Sequence, residues 1–214
     1  MTLTSIRQHF LIAATAAARL LSDPAVAARW DQESALTDFS IRGLAGHLGL
    51  QVFYVTQAIA EPAPSGEAVS IEEHYNNAAW MNAPLDSEAN ASIREMGEAE
   101  AKDGPAALAG RVTSMVAGLQ NSFQLNLAER LVHLPWSNRR LKLDDFLLTR
   151  LMEITVHSDD LAVSVGVPTP RLPPEVLEPV IELLTGLALR RHGGLALLRA
   201  LSRQERAPKS IAAF

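Results

Sequence analysis

The sequence has no cysteine, few aromatic residues and no long hydrophobic run. Because none of its 214 residues is cysteine, the chain can form neither a disulfide nor a thiolate metal site, and it has no cysteine nucleophile. Any thiol used in its chemistry must come from another molecule. No stretch reaches the roughly 20 consecutive apolar residues of a transmembrane helix, so we expect no membrane partner.

Clusters of basic residues are also lacking, and the formal net charge is -5. A surface of this charge would not neutralise a row of phosphates, which argues against a nucleic-acid partner. A small molecule is the expected partner, and the chain is expected to be a monomer or a homodimer. The absence of cysteine agrees with a reducing compartment, and we therefore expect the protein in the cytoplasm.

The composition is rich in alanine and leucine and poor in β-branched runs, which favours an all-α fold. Apolar residues recur at helical spacing in four long segments, and no convincing strand is present. The segments run from a cap at Thr4 or Thr2 to about Ser22, from Ile41 to about Ala60, from Ala106 to about Leu131 and from Leu143 to Val165. Two shorter helical segments, Ser70 to Trp80 and Ser87 to Lys102, lie between the second and third. Four long helices joined by loops predict a four-helix bundle.

We expect two parts along the chain. Residues 1–169 form the bundle, and residues 170–214 form a short helical C-terminal appendage that packs on it. Pro170 to Pro174 is a rigid spacer between them, and Glu175 to Arg191 and Leu195 to Arg203 read as two further amphipathic helices. The apolar stretch Phe10 to Ala18 keeps helical periodicity, so it is interpreted as part of the first helix and not as a signal peptide.

The fourth long segment carries ionisable side chains where a buried helix would have apolar ones. On a helical wheel, Arg150, Glu153, His157 and Asp160 fall within roughly 80° of one another, inside the apolar arc. Burying such groups costs several kcal/mol each unless they pair with one another or bind a metal. Their placement predicts either an ion-paired cluster or a chemical site.

Glu153 and His157, four residues apart, can present an oxygen and a nitrogen to one cation, although the same spacing also suits a simple side-chain pair. His47 is flanked on its own wheel by apolar residues and by Tyr54, and it is therefore expected to point into the bundle. It is either a hydrogen-bonded core histidine or a third ligand. Two histidines and one carboxylate would leave an open coordination position, which is the catalytic pattern.

The neighbours of these residues have two interpretations each. Arg150 and Asp160 either orient an imidazole and hold the carboxylate, or form a plain salt bridge, Arg150 with Asp160 or with Glu153. Trp136 and Tyr54 are candidates for the wall of a pocket. The remaining histidines have no comparable context and are predicted to be solvated or in loops: His9, His74, His133 and His192.

GLAGHLG around His47 and the run LPW followed by LDDFLLTRLMEITVHSDDLAVSVG resemble the N-terminal metal-binding domain of mycothiol-dependent maleylpyruvate isomerases, part of the DinB-like group of helical bundles. The resemblance covers roughly Thr4 to Gly166. Many DinB-like proteins have a third histidine where Glu153 stands, so the glutamate favours the isomerase branch. The isomerases also carry a C-terminal α/β domain that contributes to their site, whereas the segment after Pro170 is short and helical.

The resemblance implies that His47, Glu153 and His157 bind a divalent metal, most readily Zn²⁺, and that mycothiol is the imported thiol. It implies an isomerase or S-transferase that acts on a small electrophilic substrate. The alternative is a non-catalytic metal-binding bundle with a binding or regulatory role.

Overall fold

The computed structural model describes residues 5–81, 83–125, 127, 129–134 and 136–214. Within this part of the chain the helices are α1 (Ser5–Leu21), α2 (Pro24–Ala28), α3 (Ile41–Ala60), α4 (Ile71–Asn76), α5 (Glu88–Glu100), α6 (Pro105–Ser122), α7 (Leu143–Val165), α8 (Pro174–His192) and α9 (Gly194–Ser202). Two short strands, β1 (Leu131–His133) and β2 (Arg140–Lys142), lie between α6 and α7. The cap predicted for the first helix, Thr4 or Thr2, lies outside the described residues.

The helices that carry the site begin and end where local chemistry requires it. The hydroxyl of Ser40 caps α3 by accepting a hydrogen bond from the backbone N–H of Gly43 at 2.9 Å. α7 ends at Gly166, which has a left-handed backbone (φ 71°) that glycine adopts without steric cost. Both boundaries agree with those predicted.

α1, α3, α6 and α7 form a four-helix bundle. α7 packs against α1 and α3, and α6 packs against the same two helices from the opposite side. The core between them is apolar, with side chains such as Phe10, Leu44, Val112 and Leu147 at most 1% exposed. This arrangement turns one face of α7 towards α3, which carries His47.

α5 lies on the outer side of α3, and the two backbones approach closely through glycines. A Cβ at Gly46 would lie 1.9 Å from the carbonyl oxygen of Gly97, and a Cβ at Gly97 would lie 2.3 Å from that of Gly43. No side chain fits between the helices at these positions. The contact therefore holds the N-terminal half of α3 in place between α5 and α7.

The last two helices pack in sequence on the bundle. α8 lies against α7 and α1, and α9 lies against α8. Beyond them the chain returns to the loop after α4, where the rings of Phe214 and Trp80 are 5.2 Å apart. No helix in the described part of the chain has the length and apolar character that a membrane crossing needs.

Two predictions about the segment before α7 were wrong. α6 ends at Ser122, although Phe123 and Leu127 continue its apolar spacing. Both side chains are buried, 2% and 6% exposed, so the spacing reflects loop residues that pack on the core. Positions 126 and 128, inside the predicted extension, lie outside the described residues.

The same segment contains a short antiparallel pair of strands, which the sequence did not indicate. β1 and β2 pair with Val132 opposite Leu141, and both of these side chains are buried. Strands of three residues are too short to show an alternating pattern. The pair fixes the position of the loop that carries Trp136, immediately before α7.

Candidate metal centre

His47, Glu153 and His157 meet in the interface between α3 and α7. The Oε2 atom of Glu153 lies 3.1 Å from Nε2 of His157 and 3.6 Å from Nε2 of His47. One donor atom from each residue lies within 4.8 Å of the other two. These separations bracket the distance of about 3.4 Å between ligands that follows from tetrahedral geometry and bonds of about 2.1 Å to zinc.

The cluster is largely buried but still touches solvent. The side chains of His47, Glu153 and His157 are 13%, 13% and 17% exposed. The two imidazole rings stand edge to face, with centroids 4.8 Å apart. A small molecule can therefore approach the cluster, while most polar atoms of the three side chains stay protected from water.

Asp160 orients His157. Its Oδ2 atom lies 3.0 Å from Nδ1 of His157, so Nδ1–H donates to the carboxylate, and this contact leaves Nε2 facing Glu153. An imidazole held in this way by a carboxylate is the usual arrangement of a histidine that binds metal.

Gln51, one turn after His47, lies beside the cluster and is fully buried. Its Nε2 atom donates to the carbonyl of His47 at 2.8 Å and lies 3.2 Å from Nε2 of the same residue. The other ring nitrogen of His47, Nδ1, is buried without a hydrogen-bond partner among the described residues. The polar contacts of the His47 ring are therefore at Nε2, which lies near Gln51 and faces Glu153.

Burial and hydrogen bonding set opposite pKa shifts in the cluster. Burial lowers the pKa of His47, which favours the neutral imidazole. Burial would also raise the pKa of Glu153, but hydrogen bonds with His157 and His47 outweigh it and hold that pKa well below its usual value. For His157, burial is outweighed by the hydrogen bonds to Asp160 and Glu153, and the pKa rises to about 9. The cluster therefore keeps an ionised carboxylate and has a proton to release.

Arg150 is buried beside the cluster, with 6% of its surface exposed. Neither of the alternative salt bridges, with Asp160 or with Glu153, is found among the described residues within the 4.0 Å limit of an ion pair. Its Nη1 atom donates instead to Oε1 of Gln51 at 2.7 Å. Both carboxylates are directed towards His157, which explains why the guanidinium has turned to a neutral partner.

Trp136 lies against the other side of Arg150, with its ring centroid 4.9 Å from the guanidinium carbon. Tyr54 packs edge to face on Trp136 at 5.2 Å. Trp136 is 44% exposed, so this side of Arg150 reaches solvent. The two pocket candidates thus lie together next to Arg150.

Two residues of this region were missed or misjudged in the sequence. His74, predicted to be solvated or in a loop, is 6% exposed and lies 6.5 Å from Trp136 between ring centroids. Burial, with the nearby charge of Arg150, lowers the pKa of His74 to about 4. Gln51 carries a signal that could have revealed it, because it is a polar residue in an apolar run, one helical turn after His47.

Comparisons with known proteins add a family and a fold. A family model described as the mycothiol maleylpyruvate isomerase N-terminal domain matches residues 10–162. The crystal structure of a mycothiol-dependent maleylpyruvate isomerase is similar to this chain with a TM-score of 0.54 and 17% sequence identity, covering 89% of this chain and 69% of that one. No curated protein matched. The structural likeness confirms the predicted all-α, DinB-like bundle.

Proposed function

The chain belongs to the mycothiol maleylpyruvate isomerase N-terminal domain family, and on this basis we propose that it uses a bound metal ion to carry out a reaction of a thiol. His47, Glu153 and His157 bind a divalent cation, most readily Zn²⁺. Mycothiol is the thiol cosubstrate, and a small electrophile is isomerised or receives the sulfur. The observation that carries the proposal is the convergence of three donor atoms within 4.8 Å of one another at a solvent-accessible point.

The donor set suits such a cation. Two imidazoles and one carboxylate are borderline ligands of the kind that zinc prefers, and three protein ligands leave room for a fourth. The Nδ1 atom of His47 has no partner among the described residues, and Nε2 is its only ring nitrogen that faces the other donors. Asp160 keeps His157 oriented and makes its Nε2 atom more basic.

When bound, the cation would favour the thiolate form of a thiol at neutral pH, which is the form that adds to an activated double bond or displaces a leaving group. The protein supplies the remaining requirements. The burial of Glu153 and of both histidines limits the access of water. Trp136 and Tyr54 provide an apolar wall on which a small organic molecule can pack.

The metal proposal is tested by measuring metal content and zinc affinity of the purified protein. We expect one zinc ion per chain in the wild type and its loss in His157→Ala and His47→Ala. His192→Ala is the matched control, because this histidine is half-buried and its Nε2 atom faces the carbonyl of Ala212, far along the chain from the cluster. No stoichiometric metal, together with unchanged stability of His157→Ala, would refute the proposal.

The catalytic part is tested separately by incubating the zinc-loaded protein with mycothiol and either maleylpyruvate or a chromogenic electrophile. We expect turnover that requires both metal and thiol and that is lost in His157→Ala. A protein that binds zinc stoichiometrically but turns over no electrophile would instead have the non-catalytic binding or regulatory role.

We also propose that residues 1–169 are the metal-binding unit and residues 170–214 an appendage to it. The family match ends at residue 162, within α7, and the packing of α8 on α7 and α1 and of α9 on α8 supports this division. In this proposal the appendage stabilises the bundle from outside and contributes no metal ligand.

A further inference from the structure

Arg150 is a buried positive charge without a counter-ion in the described part of the chain. It is 6% exposed, and every carboxylate oxygen of the described residues lies beyond ion-pair distance. An arginine stays charged at all relevant pH values. Because an unpaired charge is costly to bury, such a residue is retained either for packing or for an anionic ligand that supplies the missing charge.

The hydrogen bonds of Arg150 leave part of its guanidinium open. Nη1 donates to Oε1 of Gln51 at 2.7 Å, and Nε donates to the hydroxyl of Thr149 at 3.2 Å. Arginine has five N–H groups, so three remain, and Nη2 has no partner among the described residues. Nη2 is not one of the side-chain atoms that are both buried and without a hydrogen-bond partner, so it keeps some contact with solvent. The open edge can therefore receive an acceptor from outside.

The guanidinium is also fixed in orientation. It lies 4.9 Å from the ring of Trp136 and 5.5 Å from that of Phe146, and Gln51 holds it from the side. Since a guanidinium only donates, the Oε1 atom of Gln51 must face Arg150, and its Nε2 atom must then face His47. A single amide thus sets the distance between Arg150 and a proposed metal ligand.

The charges of the site indicate what the open edge binds. With a divalent cation bound, Glu153 and Asp160 offset its charge, and Arg150 is left with an unbalanced positive charge. The sulfur of a thiol is a weak acceptor and does not match a fork of N–H donors. A carboxylate matches it in both charge and shape.

We propose that Arg150 binds a carboxylate group of the electrophilic substrate and so positions its reactive carbon next to the metal centre. The identification of the bound anion as a substrate rests on the proposed function, but the anion site itself does not depend on turnover. It assigns to Arg150 a role in substrate selection, with Gln51 and Trp136 as the residues that position the guanidinium.

The first test uses the zinc-loaded wild-type protein and an inert pair of probes, succinate and its neutral diamide, succinamide. Both have the same carbon chain and neither reacts with a thiol. We expect succinate to bind at least tenfold more tightly by isothermal titration calorimetry. Equal affinities would overturn the proposal, and this outcome needs no variant to fold.

The second test compares variants in the same assay. Arg150→Gln should weaken succinate binding about tenfold to a hundredfold, the range for loss of a charge-assisted hydrogen bond. Arg150→Lys should lose part of the affinity, because one ammonium cannot serve Gln51 and a bidentate carboxylate together, and it decides the question if Arg150→Gln fails to fold. Arg190→Gln, a charge-matched change at an exposed salt bridge with Glu72, should bind as the wild type does.

Succinate affinity that is unchanged in the Arg150 variants would mean that the probe binds the metal alone, and it would overturn the proposal. If turnover is present, Arg150→Lys should raise KM for a carboxylate-bearing electrophile and leave KM for the thiol unchanged. The opposite split would show that the anion belongs to the thiol, again against the proposal. Failure of the proposed function would instead appear as absent metal or absent turnover, with Arg150-dependent succinate binding still measurable.

Discussion

Alanine at Gly46 should destabilise the protein, whereas the same substitution at Gly110 should stabilise it. Both glycines lie inside helices, α3 and α6, where replacement by alanine normally contributes about 0.5–1 kcal/mol. Nothing lies within 4 Å of a Cβ at Gly110, so that gain is expected in full.

At Gly46 the new Cβ would lie 1.9 Å from the carbonyl oxygen of Gly97, which belongs to the backbone of α5 and cannot rotate away. The two helices would have to separate by more than 1 Å to reach ordinary van der Waals contact, about 3.4 Å. Overpacking typically costs about 1–3 kcal/mol, and because the clash here is with backbone we expect the upper part of that range, about 2–3 kcal/mol. After the gain of about 0.5–1 kcal/mol in helix propensity is subtracted, the net loss is about 1–2.5 kcal/mol.

Thermal unfolding by circular dichroism distinguishes the two cases. For a chain of this size each kcal/mol shifts Tm by about 2–4 °C, so Gly46→Ala should lower Tm by roughly 2–10 °C and Gly110→Ala should raise it by roughly 1–4 °C. Gly97→Ala, on the facing helix, should behave like Gly46→Ala, because its Cβ would lie 2.3 Å from the carbonyl oxygen of Gly43. A Tm for Gly46→Ala equal to or above that of the wild type would refute the close contact between α3 and α5.

Three further outcomes are expected. Asp160→Asn should weaken zinc binding about tenfold to a hundredfold, because His157 loses the carboxylate that orients it. Competition with a chromogenic chelator measures the zinc affinity, and an unchanged affinity would contradict the role of the carboxylate. Since the pKa of His157 is raised to about 9 in the metal-free protein, zinc binding near pH 7.5 should release about one proton and strengthen as pH rises towards 9. Calorimetry in buffers of different ionisation enthalpy gives the proton count, and a count of zero would be inconsistent with a protonated His157. Because the pKa of His74 is lowered to about 4, the unfolded state binds the proton first as pH falls from 6.5 to 4. Across this window the free energy of unfolding, measured with urea, should decrease by about 1–2 kcal/mol more in the wild type than in His74→Phe. Parallel pH profiles would rule out a buried neutral His74.

The long helices could be predicted because each buries one apolar face, and a helical period of 3.6 residues is visible in the sequence over 17 to 23 residues. The end of α6 could not, because Phe123 and Leu127 keep the same spacing while packing from a loop. The β1–β2 pair escaped detection since its strands have three residues each, too few for a period of two.

The candidate site divides in the same way. The inward placement of Arg150, Glu153 and His157 could be expected from a single helix, since their angles around its axis follow from their positions in the chain. The partner of Arg150 could not be predicted, because pairing with Glu153 or with Asp160 is equally compatible with the helical wheel. Gln51 is 99 positions away in the chain from Arg150, and only the packing of α3 on α7 brings them to 2.7 Å.

By itself, then, the sequence determined the class of fold, the helix that carries the polar cluster, and the chemical types that could share a cation. These properties depend on local periodicity and on the chemistry of side chains. The tertiary structure alone decided that Asp160 orients His157, that His74 is buried, and that Arg150 has no counter-ion among the residues that the structure describes. Those outcomes depend on how four helices and a loop pack together, and on glycines that allow α3 and α5 to touch.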